Sequence, residues 1–290
     1  MKILITGDEG FVGREFHRQL DDGRHDIVGV DLKSGADCRD WFKTDDSHFD
    51  LVVHLAAVVG GRMKIDGAPL EVATDLAIDS DMFQWAMRTR PSRIVYFSSS
   101  AAYPVDIQTR EFHLAQREQD IDLDDVGTPD QTYGWAKLTG EILASHAEAA
   151  GLRVHVFRPF SGYGADQDLD YPFPSFIARA LRRDDPFQIW GDGTQQRDFI
   201  HMRDVVGAVL EAVRQDIAGP TNLGWGRPTS FNELAQMVCD AAGYQPEFEH
   251  LPAKPVGCWY RVSDSSKMHE FYKPKITLEE GIRLALDGVA

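Results

Sequence analysis

Apolar residues come in short unbroken runs, separated by stretches in which they recur every three or four positions. Ile3-Leu4-Ile5 opens the series and is followed by Phe11, Phe16 and Leu20 at helical spacing. Ile27-Val28-Gly29-Val30 ends in Asp31, and Leu51-Val52-Val53-His54-Leu55 ends in Ala56-Ala57. Ile94-Val95-Tyr96-Phe97 ends in Ser98-Ser99-Ser100, and 152–157 ends in Arg158-Pro159. The stretches 69–88 and 131–150 carry helical periodicity between these runs. Runs without polar alternation are strands buried on both faces. Alternating with helices, they predict an α/β chain built on a parallel sheet covered on both sides.

This pattern is that of a Rossmann doubly wound sheet, whose ligand crevice lies at the carboxyl ends of the strands. After Arg158-Pro159 the rhythm breaks, and helices near 174–183, 203–215, 230–242 and 277–288 alternate with irregular segments rich in Gly, Pro and aromatic residues. We expect a dinucleotide-binding domain over 1–160 and a smaller C-terminal substrate-binding lobe over 161–290, with a soft boundary. The acidic run 118–130 reads as a solvated loop.

Charge narrows the partners. With 46 acidic against 30 basic residues, the formal net charge is -16. That balance argues against nucleic acid and against anionic membrane, so a phosphorylated ligand would need local arginines and backbone amides. Cys38, Cys239 and Cys258 form no CxxC or Cys/His spacing, and no metal site is expected. The start has no signal-peptide pattern and no run is long enough to span a bilayer, which leads us to expect a soluble cytoplasmic protein.

Gly7, Gly10 and Gly13 lie between the first strand and the first helix. Spaced GxxGxxG, they allow a tight turn, close approach of backbone to pyrophosphate, and close helix packing. Asp31, ending the second strand, suits ribose hydroxyls and repels a 2'-phosphate, which favours NAD over NADP. Tyr133 and Lys137 are four residues apart on a helix and therefore share a face. A phenol of ordinary pKa about 10 needs ~4 kcal/mol to ionise three units lower. A lysine cation ~5 Å away supplies roughly 3 kcal/mol at an effective dielectric of about 20, so Lys137 is expected nearly to suffice.

The segments 6–13 (TGDEGFVG), 54–57 (HLAA), 98–100 (SSS), 133–137 (YGWAK) and 191–201 (GDGTQQRDFIH) occur in the order seen in the extended short-chain dehydrogenase/reductases. The chain resembles, within them, the NAD-dependent epimerase/dehydratase family of nucleotide-sugar enzymes. The resemblance implies Tyr133 as the base, Lys137 as its partner and nicotinamide-ribose ligand, and Ser99, four positions before Tyr103, as the third member. It implies NAD contacts from Gly7, Gly10, Phe11, Val12, Gly13, Asp31, Asp37, Cys38, Leu55, Ala56, Ala57, Tyr133, Lys137 and Phe160. For a nucleotide-diphosphate sugar it implies Ser100, Ser161 and Arg197, with either Lys254 or Arg261 as a second cation. A homodimer through the helices near 70–90 and 131–150 is a further implication.

Ala101 stands where related dehydratases carry Glu and double epimerases often carry Cys. It can neither donate nor accept a proton, which disfavours chemistry at carbon 5 and leaves reversible oxidation at carbon 4. The expectation is a nucleotide-sugar 4-epimerase. Segments 58–61 and 75–80 look most like the GDP-sugar epimerase and reductase branch, so a 4-keto-sugar reductase is the competing expectation. A non-catalytic dinucleotide sensor is the remote one.

Overall fold

The computed structural model describes residues 1–289. Five strands, β1 (Lys2–Thr6), β2 (Asp26–Val30), β3 (Leu51–His54), β4 (Ile94–Phe97) and β5 (Val154–Pro159), join Thr221–Leu223 in one sheet. Its order is β2-β1-β3-β4-β5 followed by Thr221–Leu223, and all pairs are parallel.

The unbroken apolar runs are explained by helices on both faces of this sheet. Ile3, Ile5, Val53, Val95 and Phe157 point into a core closed by Phe16, Leu20, Val205, Val206 and Val209. Their neighbours Leu4, Val52, Ile94, Val154 and Val156 point the other way, onto Phe42, Phe49, Met82, Phe83, Trp85 and Ala144. Each strand thus places successive side chains in two separate cores.

The chain leaves β1 for β2 on one side and returns for β3 on the other. That reversal opens a crevice at the carboxyl ends of β1 and β3. Thr6 and His54 are in register there, and Leu55 N donates to the Thr6 carbonyl at 3.0 Å. Gly7 (φ 71°) turns the chain immediately beyond; a Cβ on it would lie 2.9 Å from Ala56 N.

The expected 69–88 helix is divided into Pro69–Val72 and Thr74–Thr89, and the next runs over Gln131–Ala149. The C-terminal segments read as irregular contain short strands. Gln196–His201 pairs with Ser161–Tyr163, Pro228–Ser230 and Tyr260–Arg261, while Phe187–Trp190 pairs with Phe248–Leu251. At two to six residues they are too short to show alternation. A third core, including Tyr163, Phe176, Phe187, Phe199, Phe231 and Ile282, lies among them. No described helix is long and apolar enough to cross a membrane.

Candidate active site

The glycine turn leads into the helix Phe11–Leu20, whose N-cap, Gly10, gives no side-chain cap, and no acidic residue lies in the first turn. A Cβ on Gly13 would lie 2.4 Å from the Gly7 carbonyl oxygen, so turn and helix touch through backbone. The first-turn N–H groups therefore face the crevice without a side-chain competitor, an arrangement that fits a dinucleotide pyrophosphate. Phe11 and Val12 begin this helix and pack on the core beneath it. The backbone of Leu55 and Ala56, just beyond β3, lies against the Gly7 turn, and Ala57 follows.

Asp31 ends β2 beside the turn. Its carboxylate accepts from Glu9 N at 3.1 Å and Lys33 N at 2.8 Å, so it serves as a local cap and ties the glycine turn to the end of β2. Asp37 caps the helix Cys38–Thr44 and pairs with Arg39 at 2.6 Å. The Cys38 side chain is buried in the core with Val30 and Phe42, which pushes its thiol up to about 12.

One strand end and one helix bring the proton-transfer candidates together. Ser99, following β4, accepts from Ala101 N at 3.1 Å, and its hydroxyl lies near enough to the Tyr133 phenol to favour the phenolate. Lys137 is 4% exposed, with its Nζ 5.5 Å from the Tyr96 ring centre. The helix approaches β4 closely because Gly140 has no side chain: a Cβ there would lie 1.7 Å from the Tyr96 hydroxyl. One turn beyond Lys137, Glu141 receives Arg158 Nε at 2.9 Å and Nη2 at 2.6 Å, and also Ser98 Oγ. Arg158 continues to Tyr103 at 3.1 Å, and Tyr103 to Asn222 at 2.7 Å. The helix is thereby tied to β5 and to the strand Thr221–Leu223.

The electrostatics correct one expectation. Burial holds the Tyr133 phenol above its ordinary value; Lys137 and the Ser99 hydroxyl oppose this, while Asp75 and Asp79 reinforce it. Lys137 alone does not lower the phenol, because desolvation outweighs it and the lysine charge is shared besides. Burial disfavours its ammonium, but Asp79, Tyr133 and Asp75 more than offset that, and its pKa rises. The two aspartates lie in the neighbouring helix, and nothing in the Tyr133 segment announces them.

Cations gather at the lobe side. Arg197 and Arg261 are directly opposite each other in paired strands. Arg261 Nη2 reaches Asp130 at 2.9 Å, and Arg62 Nη1 reaches the same carboxylate at 2.9 Å. Arg197 donates only to the carbonyls of Gln196 and Val256 and lies over the Phe231 ring. Desolvation, followed by repulsion from Arg261, pushes its pKa down to about 10. Lys254 lies elsewhere, exposed, with its Nζ 5.5 Å from the Trp190 ring centre.

Arg62 and Asp130 were not singled out from sequence. Asp130 ends the acidic run expected to be solvated, yet it is 6% exposed. Burial opposes its ionisation, but Arg261 and Arg62 prevail and hold it below the usual carboxylate range. It also immediately precedes the Tyr133 helix, and Gly134 N donates to its carbonyl at 2.9 Å. Glu118, at the other end of the run, accepts from Asn222 N at 2.9 Å.

The remaining candidates are spread along the cleft. Ser100 and Ala101 are buried in a short 3-10 turn after β4. Phe160 belongs to a small cluster with Ala102, Tyr103, Ile121 and Leu138. Ser161 is half-buried in the strand Ser161–Tyr163.

Known proteins give this arrangement a context. A dTDP-4-dehydro-6-deoxy-D-allose reductase from a Streptomyces species is 29% identical over 92% of this chain and 89% of its own. GDP-mannose 3,5-epimerase of Arabidopsis thaliana is 27% identical over 98% of this chain and 81% of its own. Among solved structures, MoeE5 in complex with UDP-glucose and NAD superposes with a TM-score of 0.83 at 26% identity, covering 99% of this chain and 98% of the other. The signature of the NAD dependent epimerase/dehydratase family matches residues 3–224, and the chain belongs to that family of NAD-dependent nucleotide-sugar enzymes.

Proposed function

We propose that the protein is a nucleotide-sugar 4-epimerase acting through a transient 4-keto sugar. The observation that carries this reading is the pairing of Ser99, Tyr133 and Lys137 with three guanidiniums, Arg62, Arg197 and Arg261, around the buried carboxylate of Asp130. Within a chain of net charge -16, that local excess of cations suits a diphosphate. Arg261, rather than Lys254, is then the second cation.

Bound NAD supplies a hydride acceptor and later the donor. Tyr133 takes the proton of the sugar hydroxyl, and Ser99 holds that oxygen and the phenol in line. Lys137 stabilises the phenolate and orients the cofactor ribose. With oxidised NAD bound, Lys137 would act on the phenol together with the positive nicotinamide ring. Ala101, 3% exposed, offers no acid or base for a second carbon, so the proton returns through Tyr133 to the same oxygen.

The purified protein, incubated with UDP-, GDP-, dTDP- and CDP-sugars, should produce an epimer without net change in NADH. Stoichiometric consumption of NADH with a 4-keto sugar selects the second reading, a reductase, which is favoured by the 29% identity to the Streptomyces reductase. Full cellular function in Tyr133→Phe would leave only a dinucleotide sensor.

We further infer a homodimer packed through Thr74–Thr89 and Gln131–Ala149. Leu76 (41% exposed) and Trp135 (45%) lie on these helices, and sedimentation should give twice the chain mass. The working compartment on this reading is the cytoplasm, where the free thiols Cys38, Cys239 and Cys258 persist.

A further inference from the structure

Asp75 and Asp79 stand one turn apart on the helix Thr74–Thr89, at 0% and 1% exposure. Asp79 is fully engaged. His54 Nε2 lies 3.2 Å from its Oδ1, the Tyr96 hydroxyl donates to its Oδ2 at 2.5 Å, and Lys137 adds its charge. Asp75 is different. Its Oδ1 accepts Val58 N–H at 2.5 Å, while its Oδ2 is buried with no hydrogen-bond partner.

A carboxylate with a bare oxygen is costly inside a protein, and the usual relief is to take up a proton. Burial, opposed by Lys137 and the Val58 bond and aided by Asp79, raises this group to about 6. The charged and titratable groups facing it are Lys137 and Tyr133 on the Gln131–Ala149 helix and Asp79 on its own helix. His54 on β3 and Tyr96 on β4 connect to it through Asp79. Hydride transfer at carbon 4 needs none of this: a neutral side chain bonding Val58 would fill the same space.

We propose that Asp75 is a positioning residue that controls, by its charge beside Lys137 and Tyr133, how readily Tyr133 releases its proton. As a carboxylate it divides the charge of Lys137; as a neutral acid it leaves that charge to the phenol. Acidification through the titration of Asp75 then makes Tyr133 a stronger acid, so the fall of phenolate with falling pH is shallower than for a lone tyrosine. The inference rests on reading Tyr133 and Lys137 as the proton-transfer pair.

The test needs no sugar. Tyrosinate absorbance of the NAD-bound protein is titrated against pH, and subtraction of the same titration of Tyr133→Phe isolates Tyr133. Asp75→Asn keeps an acceptor for Val58 and removes the charge. In that background, with its own Tyr133→Phe control, the curve should move to lower pH by about one unit, giving about tenfold more tyrosinate at a fixed pH. A curve that overlays the unsubstituted protein overturns the proposal.

If Asp75→Asn does not fold, carbon-13 carboxyl resonances of the NAD-bound protein decide instead. Asp75 should titrate at distinctly higher pH in Lys137→Met, and an unmoved resonance overturns the coupling. Should Tyr133→Phe retain full turnover, the catalytic reading fails separately, because neither titration involves substrate.

Discussion

Replacing Asp75 by Asn should stabilise the protein, and the gain should depend on pH in a defined way. The Asp75 carboxyl is raised from an ordinary 3.8 to about 6 because it is buried. The folded state therefore binds the proton more tightly than the unfolded chain, and stability falls as pH rises through the interval between about 4 and about 6. A difference of roughly two units amounts to about 3 kcal/mol above that interval. Asn resembles the neutral acid and escapes this cost. The expected gain is about 3 kcal/mol at pH 7.5 and about half of that at pH 5. For a chain of this size, 3 kcal/mol raises the melting temperature by about 5 °C. Urea unfolding of the cofactor-free protein at both pH values, monitored by tryptophan fluorescence, measures the difference. An equal gain at the two pH values would mean better packing rather than relief of a buried charge. A loss at pH 7.5 would refute the electrostatic account altogether.

Three other substitutions probe the cleft and the framework. Arg62→Ala should raise KM for the nucleotide sugar about tenfold, as loss of a charge-assisted contact does, with kcat changed far less. Lys254→Ala should leave both constants unchanged, and steady-state kinetics would expose the reverse ranking. Glu141→Gln leaves Arg158 buried without its counter-charge and should cost about 3–5 kcal/mol in urea unfolding; a cost below about 1 kcal/mol would show that the pair is dispensable.

The sheet was readable in the sequence because parallel strands buried on both faces leave unbroken apolar runs, and each run carried a candidate site residue at its end. Gly7, Asp31, Ala56 and Ser99 all fall at such ends. Tyr133 and Lys137 were visible because a helix keeps residues four apart on one face. Arg62 and Asp130 were not visible, since their meeting brings the first residue of the short helix Arg62–Gly67 to the residue that precedes the Tyr133 helix, 68 positions away. Our preference for Arg261 over Lys254 likewise rests on strand pairing: Arg261 lies opposite Arg197 in a strand of two residues. Nor did the Tyr133 segment carry its own electrostatics. Asp75 and Asp79 lie on the preceding helix, and they change the energetic account of the phenol although they are distant in sequence.

Gly140 makes the Tyr133 helix behave as a keyed part. The only face that can seat against the Tyr96 hydroxyl and the Asp79 carboxylate is the one lacking a side chain, where even a methyl group would collide at 1.7 Å and 2.7 Å. The rotational setting of the helix, and with it the direction in which Tyr133 and Lys137 point, is thus fixed by an omission. On the proposed reading, variation in substrate scope must accordingly be accommodated in the lobe, through positions such as Ser161 and Arg197, while this face of the helix stays closed to diversification.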